Sequence, residues 1–355
     1  MIKYIGSKRT LVPLITQAVS ALPAKTVCDL FAGTTRVGQG LREAGLTVQS
    51  NDLASYSEVL GIAYIESDDS VDHQRVQELL DHLSSLEPEH GYFTETFCIQ
   101  SRFFQPENGM QVDAIRNEID RLELTRQERG ILLTSLMEAA DRVDSTCGLQ
   151  MAYVKKWAAR SYNPLELRMP HPVAGPAGRA TRLDANELAP TLGDIDCVYI
   201  DPPYNQHSYF SNYHIWETLI RWDEPEHYGV ACKRVDCKTT KSPFNRKREA
   251  WDAFEQLIES IPSPWLVASF NNEGFHDQKA IAELLGRSRH VRTVSTDFKR
   301  YVGAQIGIHN PDGEKVGEVS HLRNRELLFL AGPDEEVLQG AVTGLDLGGK
   351  QMSLI

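Results

Sequence analysis

Asp201-Pro202-Pro203-Tyr204 puts a carboxylate, a fixed carbonyl and an aromatic face on consecutive residues. The apolar run Cys197-Val198-Tyr199-Ile200 precedes it, which places the tetrapeptide at the carboxyl end of a strand, where open α/β sheets build their sites. Each proline locks φ and removes an N–H donor, so the pair ends the strand and stiffens the corner. Such a corner suits one planar, hydrogen-bonding group such as a nucleobase. A strand-end turn with a surface aspartate would carry the same residues, and the tetrapeptide alone does not choose between the two.

A second constellation lies near the start of the chain. The stretch 26–32 (TVCDLFA) reads as a buried strand running into Gly33-Thr34-Thr35-Arg36-Val37-Gly38 and then a helical stretch to about Ala44, with Gly45 just past its end. Glycines in such a loop let the backbone approach a ligand closely. No Gly-Lys-Ser/Thr comes after it, so this is not a P-loop, and it is a poor G-x-G-x-x-G. Asp52 ends the next strand, 47–52, where an acidic residue suits a ribose diol. Tight strand–helix packing explains a lone loop of this kind equally well.

The elements that must hold these residues form an opening β-α-β unit and then a long helical stretch. Apolar residues recur at helical spacing in 71–86, 112–122 and 127–143. Residues 161–182 are rich in Pro, Gly and Arg and are expected to be irregular. Strand pattern returns at Arg182-Leu183-Asp184, 196–200, 265–270, 291–296 and 326–331, and Asn310-Pro311-Asp312-Gly313 signals a late hairpin turn. The expected architecture is an α/β sheet interrupted after its second strand by a mainly helical insertion.

In these motifs the chain resembles a known family. The order KYIGSK, DLFAGTTRVG, ND, RLDA, DPPYN is similar to that of the α-group adenine-N6 DNA methyltransferases, which include DNA adenine methylases and the modification methylases of restriction systems. The resemblance covers roughly 1–60 and 180–330, and five short motifs agree in order and placement. It implies a Rossmann-like class I methyltransferase sheet, with a discontinuous catalytic domain at 1–55 and 180–355 and a helical target-recognition insertion at 56–179. It implies S-adenosylmethionine as cofactor: Tyr4 and Lys8 closing on its methionine half, Asp29, Phe31, Ala32 and Gly33 lining it, Asp52 on the ribose and Asp184 on the adenine amino group. Thr35 stands where many relatives have a second glycine.

Within that resemblance the corner has a definite chemistry. The N6 lone pair of adenine is delocalised into the ring and is a poor nucleophile. Asp201 and the Pro202 carbonyl each accept one N6–H bond, which localises the lone pair and stabilises the charge developing on nitrogen. Tyr204 stacks on the base, which must first leave the duplex. Tyr209, Phe210 and Tyr213 are candidates for the second wall of the pocket, with ordinary core packing at least as good an account of each. His207 and His214 suit hydrogen bonding or DNA contact better than acid–base work. The activated methyl needs no metal.

Net charge is −12, a weak argument against a nucleic-acid partner, but basic residues cluster. Residues 231–250 hold seven Lys/Arg against two Asp/Glu, and residues 151–182 hold six against one. Lys155, Lys156 and Arg160, interleaved with Tyr153 and Trp157, and Lys241, Phe244, Arg246, Lys247 and Arg248 are the candidate contacts to double-stranded DNA. Phosphate contacts position a protein without specifying sequence. The six cysteines form no CxxC pair and no apolar run spans a bilayer, so the expectation is a cytoplasmic protein with reduced thiols and no structural zinc. The resemblance implies a cognate restriction enzyme acting separately. An RNA base methyltransferase and a catalytically silent nucleic-acid-binding scaffold are the alternatives.

Overall fold

Cys197–Ile200 is apolar throughout and buried at every position, the signature of a strand covered on both faces. In the computed structural model it is β4; the strands used below are β1 (Thr26–Asp29), β2 (Thr47–Asn51), β3 (Arg179–Thr181), β4, β5 (Trp265–Asn271), β6 (His290–Lys299), β7 (Arg323–Gly332) and β8 (Met352–Leu354). The helices used below are α1 (Val12–Ser20), α2 (Arg36–Glu43), α3 (Ser55–Gly61), α4 (His73–Ser84), α5 (Pro106–Arg121), α6 (Arg126–Val143), α7 (His214–Arg221) and α8 (Ala250–Ser260). The structure describes residues 2–6, 8–272, 274–299, 308–309, 315–317, 323–346 and 352–354. The Asn310–Gly313 turn signal lies outside them, although Ile308–His309 and Lys315–Gly317 on either side pair antiparallel.

The chain divides into two compact units, one of residues 1–9, 29–185 and 207–242, the other of 10–28, 186–206 and 243–355. The second unit carries strands in the order β1-β4-β5-β7-β6-β8. Strands β4 and β5 run parallel, with Cys197 opposite Trp265 and Ile200 opposite Ala268. Strand β7 is antiparallel to both β5 and β6. Asp196 pins the start of β1 beside β4: its Oδ2 accepts the N–H groups of Lys25 and Thr26 at 2.8 and 2.9 Å. Those backbone donors hold its carboxyl below the ordinary range.

In the first unit β2 and β3 pair in parallel, and the helical stretch packs around Phe93, Phe97, Phe103 and Phe104, all buried. Phe93 meets Phe97 and Phe104 with centroids 5.0 and 5.2 Å apart, and each buried ring stabilises the unit by about 1.5–3 kcal/mol. Three expected helices appear as α4, α5 and α6. Helix α6 starts with a capping box, Thr125 and Glu128 each accepting the other's backbone N–H. Helix α5 begins at Pro106, well before the expected 112, because Pro-Glu-Asn-Gly looks like a turn until proline is recognised as a first-turn residue. Buried Arg116 on α5 donates to the carbonyls of Leu219 (2.9 Å) and Ile220 (3.1 Å) and so finishes α7.

The loop between β1 and α2 contains a strained residue. Thr35 has φ 59 and ψ 12, a left-handed conformation that is an outlier for a β-branched side chain. Its N–H donates to the Ala32 carbonyl at 2.7 Å, and its hydroxyl accepts from Gln39 at 2.9 Å. Such strain costs about 1–3 kcal/mol, which glycine avoids at an entropic cost of about 0.5–1 kcal/mol. Urea denaturation is therefore expected to find Thr35→Gly within about 1 kcal/mol of the parent and Thr35→Val clearly less stable; the reverse order would remove the strain argument.

Candidate active site

Strand β2 delivers Asp52 to the mouth of the β1–α2 loop. Asp52 Oδ2 accepts the Gly33 N–H at 2.9 Å and Oδ1 accepts the Ala54 N–H at 3.0 Å. Burial pushes this carboxyl up and the two backbone donors oppose the shift. Asp29, at the end of β1, is buried and accepts the Gly38 N–H at 3.1 Å, which ties the start of α2 to the strand. Asn51 bridges the Leu30 and Leu183 carbonyls and accepts the Leu183 N–H at 3.1 Å. The half-buried Asp184 is thereby held one residue from a fixed point. Leu53 and Leu183 are exposed, leaving apolar surface next to each acidic residue.

Tyr4 closes on this loop. A Cβ built on Gly33, itself at φ +52, would lie 3.3 Å from the Tyr4 ring. The Tyr4 ring lies nearly parallel to those of Tyr209 (5.2 Å, 15°) and Tyr213 (4.4 Å, 17°), and Tyr56 meets it edge-on at 6.3 Å. The Tyr213 hydroxyl accepts the Ile5 N–H at 2.5 Å. Lys8 is buried. Phe31 is half-buried, and Ala32 and Gly33 are buried.

In the second unit Asp201, Pro202 and Tyr204 come directly after β4. Strand β5 runs three residues beyond the register partner of Ile200, and its last residue, with the loop after it, clamps the corner. Asn271 Nδ2 donates to the Tyr204 hydroxyl at 3.0 Å, and the Phe275 N–H donates to the Tyr204 carbonyl at 2.9 Å. The Tyr204 ring stands 6.1 Å from that of Phe270, and Asn245 donates to the Asn205 carbonyl at 2.9 Å. Asp201 and Tyr204 are half-buried and Pro202 is buried. Sequence reading did not single out Asn271; the available signal was its place just past the strand expected at 265–270.

The structure thus places Tyr4, Lys8, Asp29, Phe31, Ala32, Gly33, Asp52 and Asp184 in the first unit, with Tyr209, Phe210, Lys155, Lys156 and Lys241, and places Asp201, Pro202, Tyr204, Arg246 and Lys247 in the second. Tyr209 packs on Tyr4, while Phe210 remains half-buried. Lys155, Lys156, Lys241, Arg246 and Lys247 are exposed, and Arg246 is paired with Glu249 at 2.8 Å. Arg160 is committed to Asp144 at 2.6 Å, Trp157 lies under Arg102 at 4.8 Å and Phe244 is buried. Arg160, Trp157 and Phe244 thus make contacts within the chain that no local charge count reveals. His214 is also buried: its Nε2–H donates to the Gln150 carbonyl at 2.9 Å, and burial pushes its pKa down to about 3. It is neutral at neutral pH and its Nε2 is engaged inside the fold.

The model for the D12 class of N6 adenine-specific DNA methyltransferases matches residues 4–273. The type II methyltransferase M.NlaIII of Neisseria lactamica is 30% identical over 334 residues, covering 90% of this chain and 98% of the relative. The modification methylase StsI of Streptococcus sanguinis is 32% identical over 301 residues, 80% of this chain and 46% of the relative. The type II methyltransferase M.CviAII of Paramecium bursaria Chlorella virus 1 is 28% identical across 88% of this chain and 96% of its own length. The chain belongs to the D12 class of N6 adenine-specific DNA methyltransferases, and its mixed α/β architecture is that of a Rossmann-like methyltransferase. Among the described residues no helix is long and apolar enough to cross a membrane.

A Cβ on Gly6 (φ +75) would lie 2.6 Å from the Tyr209 hydroxyl but 3.7 Å from its ring carbon. Gly6→Ala is therefore expected to destabilise the protein, and Tyr209→Phe to recover about 1 kcal/mol of that loss in a double-mutant cycle read by urea denaturation; additive effects would refute the contact.

Proposed function

We propose that this enzyme moves the methyl group of S-adenosylmethionine to N6 of an adenine flipped out of double-stranded DNA, as the modification enzyme of a restriction-modification system. The relatives' names support the modification role; a cognate nuclease as a separate protein and a cytoplasmic location are part of the same proposal. The observation that carries the cofactor assignment is Asp52: a carboxylate fixed by two backbone N–H groups, beside a glycine whose left-handed backbone lies against Tyr4. That arrangement fits a ribose diol. Asp184 takes the adenine amino group, Asp29, Phe31, Ala32 and Gly33 line the cofactor, and Tyr4 and Lys8 hold its methionine half.

When bound, S-adenosylmethionine supplies a methyl group already activated by its sulfonium. The protein's own task is to prepare the acceptor. Asp201 and the Pro202 carbonyl accept the two N6–H bonds, and each such interaction contributes about 2.7–4 kcal/mol to the transition state. Tyr204 covers one face of the base, its ring fixed by Asn271 and its backbone by Phe275. Phe210 is the proposed second wall, since Tyr209 is engaged with Tyr4. The insertion at 56–179 is the proposed target-recognition region, and Lys155, Lys156, Lys241, Arg246 and Lys247 are the proposed phosphate contacts.

Two measurements test this. Tritiated methyl incorporation into duplex DNA is expected to fall by at least about a hundredfold in Asp201→Ala while calorimetric binding of S-adenosylmethionine persists; full activity in that variant would refute the mechanism, and preferential labelling of structured RNA would refute the substrate. Replacing both Lys155 and Lys156 with alanine is expected to lower the slope of log affinity against log salt by about 0.9 per lost phosphate contact, without changing the methylated sequence in a methylome; an unchanged slope would exclude them.

A further inference from the structure

The segment after the Asp201–Tyr204 corner sends three side chains, four residues apart, to the pieces assigned to the cofactor. Tyr209 reaches Tyr4 and Gly6, Tyr213 reaches Tyr4 and Ile5, and Glu217 reaches Ser55. The first two contacts are aromatic. The third is a buried carboxyl, and burial of such a group is expensive unless it is hydrogen-bonded.

Glu217 is 3% exposed. Its Oε2 accepts the Ser55 backbone N–H at 3.0 Å and its Oε1 accepts the Ser55 hydroxyl at 2.8 Å. Arg182 donates to the same hydroxyl oxygen at 2.6 Å, which leaves the hydroxyl hydrogen directed at Glu217. Ser55 is the first residue of α3, and Ala54 before it provides no side-chain cap, so this helix start depends on a carboxylate from 162 residues away for one of its orphan donors. Ala54 in turn donates its N–H to Asp52. Glu217, Ser55, Ala54 and Asp52 are therefore one connected path. Burial pushes the Glu217 carboxyl up, and the Ser55 hydroxyl and amide oppose that shift. A serine or aspartate at position 54 would cap α3 locally without burying a charge; a remote carboxylate instead ties Asp52 to the segment that leaves the methyl-acceptor corner.

We propose that Glu217 is a positioning residue for the cofactor: by fixing Ser55 and Ala54 it sets where the Asp52 carboxylate stands against the ribose hydroxyls. This rests on the reading of Asp52 as the ribose ligand. Calorimetry with S-adenosylhomocysteine and its 2′-deoxy analogue tests both, on the parent enzyme, Asp52→Ala, Glu217→Gln, Glu217→Ala and the double variant Asp52→Ala/Glu217→Gln. Glutamine keeps an acceptor for one of the two Ser55 donors, so Glu217→Gln remains informative where Glu217→Ala does not fold. The expected result for Glu217→Gln is about tenfold weaker binding of S-adenosylhomocysteine, the worth of one charge-assisted hydrogen bond. Its preference for the full ribose over the deoxy analogue shrinks in parallel, while kcat at saturating cofactor stays within about twofold. In the Asp52→Ala background the same change adds less than about twofold. Undiminished cofactor binding by Asp52→Ala would remove the ribose reading itself. Weakened binding by Asp52→Ala, with unchanged affinity and unchanged ribose discrimination in Glu217→Gln, would overturn the positioning role alone. Lowered melting temperature with unchanged discrimination would assign Glu217 to fold stability only and overturn it too.

Discussion

A carboxylate that must bind ligand has to be kept charged, aimed and partly bare, and these demands conflict. Asp52 is surrounded enough that burial raises its pKa, yet two backbone N–H groups, from Gly33 and Ala54, make the charged form tolerable and leave it one orientation. Much of the first unit serves that compromise. Asn51 fixes the strand ends on either side, Asp29 holds the start of α2, and the rings of Tyr4, Tyr209 and Tyr213 pack over the loop.

The acceptor corner solves a different problem by similar means. Two prolines stiffen the backbone between Asp201 and Tyr204, but prolines donate nothing, so the corner has to be held from outside. The end of β5 does this through Asn271, and the loop after it through the Phe275 N–H. Parallel register makes the support local in space and remote in sequence, since β4 stops at Ile200 while β5 continues past its partner Ala268.

That contrast separates what could be read from the residues from what could not. Strands β1, β2, β4, β5, β6 and β7 and the loop were legible, β4 because it is apolar throughout, whereas β3 (Arg179–Thr181) lies in a stretch expected to be irregular, with the strand pattern read at 182–184, and β8 was not expected. The helices α4, α5 and α6 announced themselves by period, although Pro106 disguised the start of α5. Glu217 and Gln150 were invisible, because each acts on a group dozens of residues or more away and no pattern around it is unusual, and Asn271 offered only its place at the end of a strand. Charge counting located the basic clusters but could not tell exposed Lys155 and Lys156 from Arg160, whose guanidinium is committed to Asp144. Aromatic counting likewise named Tyr209 and Phe210 together, and only packing on Tyr4 distinguishes them.

His214 carries a consequence for acid. In the folded chain its imidazole gives one proton to the Gln150 carbonyl and sits beside Phe97 and Phe103, where burial disfavours a charged ring. The folded state therefore resists a second proton down to about pH 3, whereas the unfolded chain accepts it near the ordinary value of 6.5. Between those limits the unfolded state binds more protons, so stability declines as pH falls, by up to about 1.4 kcal/mol per pH unit from this group alone. One buried ring thus gives the segment carrying Tyr213 and Glu217 a contribution to stability that shrinks in acid.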